Sequence, residues 1–197
     1  MKRIFLTVTL CTLFAVGAFA QGISGGLKAG LNLANGIGED AKEADMKMRV
    51  AYHIGGFLNI GLSEALAVQP ELLYNSVGSK MDEDGYELVY KLNYISVPVN
   101  LMYSFGNFNV HAGPQFSFLA SAKGKASYQG EEAEVDMKEF FKSTDIAVNL
   151  GLGASFGKLH ASARYSMGIT KIYDSEEEVD AKNGVIQLSL GYKLFGE

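Results

Sequence analysis

Residues 92–122 read LNYISVPVNLMYSFGNFNVHAGPQFSFLASA and alternate apolar with polar positions on both sides of one tight turn at Phe105-Gly106-Asn107. In the first run Ile95, Val97, Val99, Leu101 and Tyr103 share a face, and Tyr94, Ser96, Pro98, Asn100 and Met102 share the other. In the second, Phe108, Val110, Ala112, Pro114, Phe116 and Phe118 oppose Asn109, His111, Gly113, Gln115 and Ser117, with Leu119 the exception on the polar side. A period of two over runs this long predicts strands. Each run is long enough to cross a bilayer as a tilted strand. Its polar face suits a small wet interior and its apolar face suits lipid. A soluble antiparallel sheet with one buried face fits this hairpin equally, so the choice falls on the rest of the chain.

The same alternation predicts eight strands: Gly26 to Ala34, Ala51 to Leu62, Leu66 to Val77, one from about Leu88 into the first run, the second run itself, Thr144 to Phe156, Leu159 to Thr170, and a last one through Ile186 to Leu194. Connections alternate long and short. The long ones cover residues 35–50, 78–87, 123–142 and 171–183; the short ones centre on Ser63-Glu64-Ala65, Gly106 and Gly157-Lys158. The long connections hold nearly all the acidic residues, with Glu64, Glu71, Asp145 and Glu197 as exceptions. That division predicts an all-β fold, an eight-stranded antiparallel up-and-down transmembrane β-barrel with short periplasmic turns and long outer loops. Two features strain it. Lys91 and Asn93 fall on the otherwise apolar face, which predicts a bulge or a segment standing above the membrane. Pro70, Pro98 and Pro114 all fall within strands, where proline lacks the ladder donor. They predict widened pairing on one wall; a broken strand is the alternative.

Composition fixes the address. The chain of 197 residues is one domain's length. It opens with Lys2 and Arg3, an apolar stretch and Ala18-Phe19-Ala20, which predicts a secretory signal peptide over 1–20 and a barrel domain over 21–197. Removing the two basic residues takes the formal charge from −5 to −7, and removing Cys11 leaves no thiol. That excludes disulfides, thiol chemistry and cysteine-ligated metal. No later apolar run is long enough for a spanning helix, so membrane insertion requires a closed barrel. An acidic, exported chain without a basic patch excludes nucleic acid as a partner. The expected location is the outer membrane of a Gram-negative bacterium. Without tryptophan, tyrosine and phenylalanine must form the interfacial girdles: Tyr52 and Tyr74 outside; Tyr103, Phe105, Phe108, Phe156 and Tyr192 inside.

The stretches KAGLNLAN at 28–35, LAVQPELLY at 66–74, LNYISVPVNLMYS at 92–104, HAGPQFSF at 111–118, GLGASFG at 151–157 and ARYSMGITKIYD at 163–174 resemble the PorT-like family of outer-membrane β-barrel proteins of Bacteroidetes-type bacteria. The resemblance covers essentially the whole mature chain in order. It implies the barrel fold, contact with outer-membrane lipid, and envelope or secretion-system proteins as partners, since the member that names the family is linked to export of surface proteases. It implies no catalytic signature.

Candidate chemistry is sparse. His160 and Ser162 share a face, with Asp145 and Asn149 on the adjacent strand. Such a pair could activate a hydroxyl, but it lies near the periplasmic turn in the interior phase. His53, His111 and His160 all fall in the inward phase, His53 expected near the outer end and the other two near the inner end, so they read as packed side chains and not metal ligands. Asp82-Glu83-Asp84-Gly85 and Glu176-Glu177-Glu178 lack the length of a calcium loop. Gly151-Leu152-Gly153 has no following helix to make a phosphate site. No catalytic residue, metal or cofactor is expected. The one inward constellation is a charge network of Lys28, Glu71, Arg164 and Lys193, with Glu71 the single carboxylate facing several cations. The expected function is non-enzymatic, through the outer loops or as part of an envelope assembly. A lipid-modifying enzyme in the same barrel and a soluble lipocalin-like periplasmic carrier are the alternatives.

Overall fold

The structure, a computed structural model, describes residues 22–83, 86–128, 131–175 and 179–196. The signal peptide expected over 1–20 lies outside the described residues, as do Asp84, Gly85 and Glu176-Glu177-Glu178 of the acidic runs. Among the described residues nine strands form: β1 (Ile23–Ile37), β2 (Lys47–Gly61), β3 (Leu66–Glu83), β4 (Tyr86–Phe105), β5 (Phe108–Tyr128), β6 (Glu131–Asp136), β7 (Thr144–Phe156), β8 (Leu159–Gly168) and β9 (Lys182–Phe195). A short helix α1 (Glu39–Glu43) and a 3₁₀ turn (Lys138–Phe140) lie in the connections.

Eight strands close into a ring in the order β1-β2-β3-β4-β5-β7-β8-β9, each antiparallel to its neighbours, with β9 returning to β1. Closure leaves no barrel edge unpaired, which a bilayer demands of any sheet that crosses it. Sequence alternation becomes an inverted burial pattern. Leu150 and Leu190 are 68% and 70% exposed, while Asn149 and Gln187 are 0% exposed. Apolar residues face the surroundings and amides face the interior, so the surrounding medium is lipid.

At the turns, Gly157 adopts φ 60°, the left-handed region that joins β7 to β8 in two residues. Tyr103, Phe105 and Phe108 cluster at the adjacent short turn, with ring centroids 6.3–6.5 Å apart, and Tyr52 stands 6.1 Å from Tyr74 on the outer surface.

The three prolines sit in unbroken strands. Pairing lapses beside them without a change of register: Pro70 pairs with Val99 and the β3–β4 ladder resumes at Leu73 and Ser96, while Pro98 pairs with Gln115 and β4–β5 resumes at Leu101 and Ala112. The lapses lie on one wall, and no strand is broken. The register does shift once on that wall, between Asn93 and Tyr94, where Ala120 is the extra residue on β5. Lys91 and Asn93 lie on the far side of that bulge, toward the Tyr86 end of β4.

Two expectations about the connections need correction. The segment 123–142 is not a plain loop: β5 continues to Tyr128 and returns as β6, a ninth strand outside the ring. β3 and β4 likewise continue to Glu83 and Tyr86 in paired register. At 18 to 21 residues, β3, β4 and β5 are about twice the length a tilted crossing needs. The continued alternation across 78–91 and 123–128 carried this signal, but acidity and glycine masked it.

Candidate functional site

Inward phase and closure bring Lys28 (β1), Glu71 (β3) and Arg164 (β8) to one level. Lys28 Nζ donates to Glu71 Oε1 at 3.0 Å, and both terminal nitrogens of Arg164 donate to Oε2 at 3.2 Å. Gln69 Nε2 adds a 2.8 Å bond to Oε1. β3 and β8 stand halfway round the ring from each other, so the Glu71–Arg164 contact bridges the lumen. All three side chains are almost completely buried. A charge so placed costs several kcal/mol unless paired and hydrogen-bonded.

Lys193 does not join them. Lys28 pairs with Gly191 across β1–β9, whereas Lys193 pairs with Gly26, two residues nearer the strand end. Its half-buried side chain lines a polar vestibule of about 160 Å³ at the short-turn mouth of the barrel, with Lys158 and His160. The charged cluster therefore has two cations, not three.

A chain of amides and hydroxyls extends the cluster outward. Arg164 Nε donates to Gln187 Oε1 at 2.8 Å; Gln187 Nε2 donates to Asn32 Oδ1 at 3.0 Å and Asn75 Oδ1 at 3.1 Å. His53 donates Nδ1–H to Asn32 Oδ1 at 2.7 Å and accepts at Nε2 from Ser189, 2.9 Å away. His53 sits at mid-depth opposite Gly30, not near the outer end, because β2 begins at Lys47. The lumen is tight: a β-carbon at Gly151 would lie 2.5 Å from His111 Nε2.

The hydroxyl-activating arrangement does not assemble. His160 Nδ1 meets Ser155 Oγ at 3.0 Å, and Ser162 Oγ is buried without a partner. Asp145 is taken up by Thr170 at 2.7 Å and Asn183 at 2.9 Å, at the far end of β7. Among the described residues no three His, Cys, Asp or Glu side chains gather as metal ligands do.

Above the polar layer the interior turns apolar. Val77, Leu92, Tyr94, Leu119 and Ala122 meet Phe141, Ile172 and Ala181 from the outer connections in one buried cluster. Strand-phase reading passed over this plug; the signal was Leu73, Val77, Leu92 and Leu119 standing in the inward phase toward the outer strand ends. The connections are zipped over it. Phe141 stacks on Tyr173 at 5.0 Å, Lys142 N–H donates to Ile172 O at 2.8 Å, and Asp174 N–H donates to Phe140 O at 2.9 Å. On the other side, the backbone N–H of Glu39 donates to Asp180 Oδ2 at 3.3 Å, and that of Asp180 donates to Asp40. The interior is thus blocked twice, by ion pairs and by hydrocarbon.

A family model described as an outer membrane protein beta-barrel domain matches residues 19–174. Among solved structures, Ail, the attachment invasion locus protein of Yersinia pestis, shares 14% identity over 88% of this chain and 99% of its own, with a TM-score of 0.48. Neisserial surface protein A shares 12% over 88% and 97%, with a TM-score of 0.49. The outer membrane protease OmpT of Escherichia coli shares 9% over 88% and 97%, with a TM-score of 0.35. No functionally curated protein matches the chain in sequence.

Proposed function

This chain belongs to the family of outer membrane β-barrel domains and resides in that membrane, and on that premise we propose that it works without catalysis, by binding at its extracellular end as part of an envelope assembly. One observation carries the reading. The interior is closed by the Lys28–Glu71–Arg164 cluster and again by the apolar plug, while the outer connections above the plug are held in a defined shape. A filled eight-stranded barrel has no path for solutes. Chemistry in the lumen would need side chains converging on an accessible atom, and His160, Ser162 and Asp145 are each engaged elsewhere or left single.

The PorT-like stretches support a place beside the protein-export machinery of a Bacteroidetes-type envelope. Cross-linking in native envelopes followed by co-purification tests this. Export components should be recovered with the intact protein and lost when residues 131–142 are replaced by a short Gly-Ser linker. Recovery of none, or equal recovery with both forms, refutes the assembly reading. The lipid A profile of a deletion strain should be unchanged; an altered acyl pattern would restore the lipid-modifying alternative.

A further inference from the structure

The part of the sheet beyond the bilayer has two unlike faces. On the outward face, Lys123 Nζ meets Glu134 Oε1 at 2.6 Å, Lys91 Nζ meets Glu134 Oε2 at 3.2 Å, and Lys125 meets Glu132 at 2.6 Å. The opposite face, continuous with the barrel interior, carries Leu88, Tyr90, Ala126, Ala133 and Val135. Val135 is 62% exposed and Phe140, beside it, 59%. A strand extension in water gains nothing from an exposed apolar face, and an apolar patch rimmed by charge marks a binding surface.

That face borders two cavities, of about 320 and 370 Å³, which share Tyr90, Met137 and Phe140 as walls. Each has the size of a small-molecule site. The larger adds Met46 and Tyr173, and its rim carries Asp40 and Asp174. Its floor is the buried plug, so it is blind. Methionine walls adapt to irregular hydrocarbon. Three aromatic rings with carboxylates at the rim are the surroundings that hold organic ammonium groups. Asp40 is bonded to the Asp180 backbone, whereas the exposed Asp174 carboxylate has no partner among the described contacts.

We propose that the larger cavity binds a small apolar cation, its hydrocarbon body against Met46, Met137 and Phe140 and its ammonium between the rings and Asp174. The proposal rests on the reading that the extracellular end is the binding end. It names the ligand chemistry there.

The test titrates hexyltrimethylammonium into the mature protein in phosphatidylcholine nanodiscs, read by ligand-observed saturation-transfer NMR against empty nanodiscs. Saturable binding is expected, weakened at least tenfold in Asp174→Asn and in Phe140→Ala. Both residues are exposed, so both variants should fold, as shown by heat-modifiable gel migration and far-UV circular dichroism. Hexanesulfonate, with the opposite charge, should bind at least tenfold more weakly than the ammonium. No saturable binding, unchanged binding in either variant, or equal binding of the sulfonate overturns the proposal. A protein that fails here but still co-purifies envelope partners loses only the ligand site. One that binds the ammonium but recovers no partner loses only the assembly reading.

Discussion

The cluster around Glu71 makes a quantitative demand. Glu71→Gln keeps the shape and removes the only negative charge between Lys28 and Arg164, 3.0 and 3.2 Å away. Removing one partner of a buried pair costs about 3–5 kcal/mol, and here two cations are stranded at once, so about 5 is expected. Arg164→Met is gentler. Lys28 and Glu71 still neutralise each other, but Gln187 Oε1 loses donors at 2.6 and 2.8 Å and Glu71 loses two bonds, for about 3 kcal/mol. The double variant strands only Lys28 and should fall short of the additive sum by about 2 kcal/mol or more. Adding Lys28→Met should recover stability, because an uncharged, well-filled layer replaces a lone buried cation. The assay is urea unfolding of protein refolded into short-chain phosphatidylcholine vesicles, followed by far-UV circular dichroism and gel migration. Additive single effects, or no recovery in the triple variant, would mean that each charge is hydrated on its own and that the lumen is wet at this depth.

Other expectations follow from the same architecture. An epitope inserted at Glu139 should be labelled on intact cells and one at Glu64 should not; the reverse pattern would invert the protein in its membrane. Leu92→Ala, inside the plug, should cost about 2–5 kcal/mol, and Leu150→Ala, facing lipid, much less; equal losses would contradict the inverted packing. Planar bilayers loaded with the protein should show no stable conductance, and steady channels would contradict the double seal. Hydrogen bonds from Lys123 and Lys91 hold the Glu134 carboxyl below its ordinary range. That contribution is present above the unfolded pKa and is lost as pH falls through the lower folded value. Spin labels facing each other at Ala126 and Ala133 should therefore spread apart only in acid, and Glu134→Gln should spread them at every pH.

Strand phase made most of the barrel legible, because a lipid face tolerates almost no charge and an alternation of two leaves one residue in two to declare its side. Lys28, Glu71 and Arg164 were legible for the same reason. Lys193 was misplaced because phase fixes direction and not depth: its level depends on how β9 closes on β1, and no local pattern encodes that register. The plug and β6 were hidden by a second competition. Past the bilayer the alternation continues, but its meaning reverses. The outward face becomes charged at Lys123 and Lys125, the inward face becomes apolar at Leu88 and Tyr90, and acidic residues on β6 look like loop until their lysine partners are in view.

The layer of amides has a consequence for assembly. A closure slipped by two residues would keep every leucine toward lipid and every polar group inward, so hydrophobic patterning alone accepts it. The amides do not. In the native seam Asn32 lies opposite Gln187 and Gly30 opposite Ser189. A two-residue slip would put Asn32 against Val185 or Ser189, part Gln187 from Asn32 and Asn75, take the Ser189 hydroxyl from His53 Nε2, and part Arg164 from Glu71. Each slipped ring would add several buried groups without partners to the few, such as Ser162 Oγ and Asn149 Oδ1, that the native one carries. The polar core thus acts as a proofreader of barrel closure, rejecting wrong rings that the membrane itself could not tell from the right one.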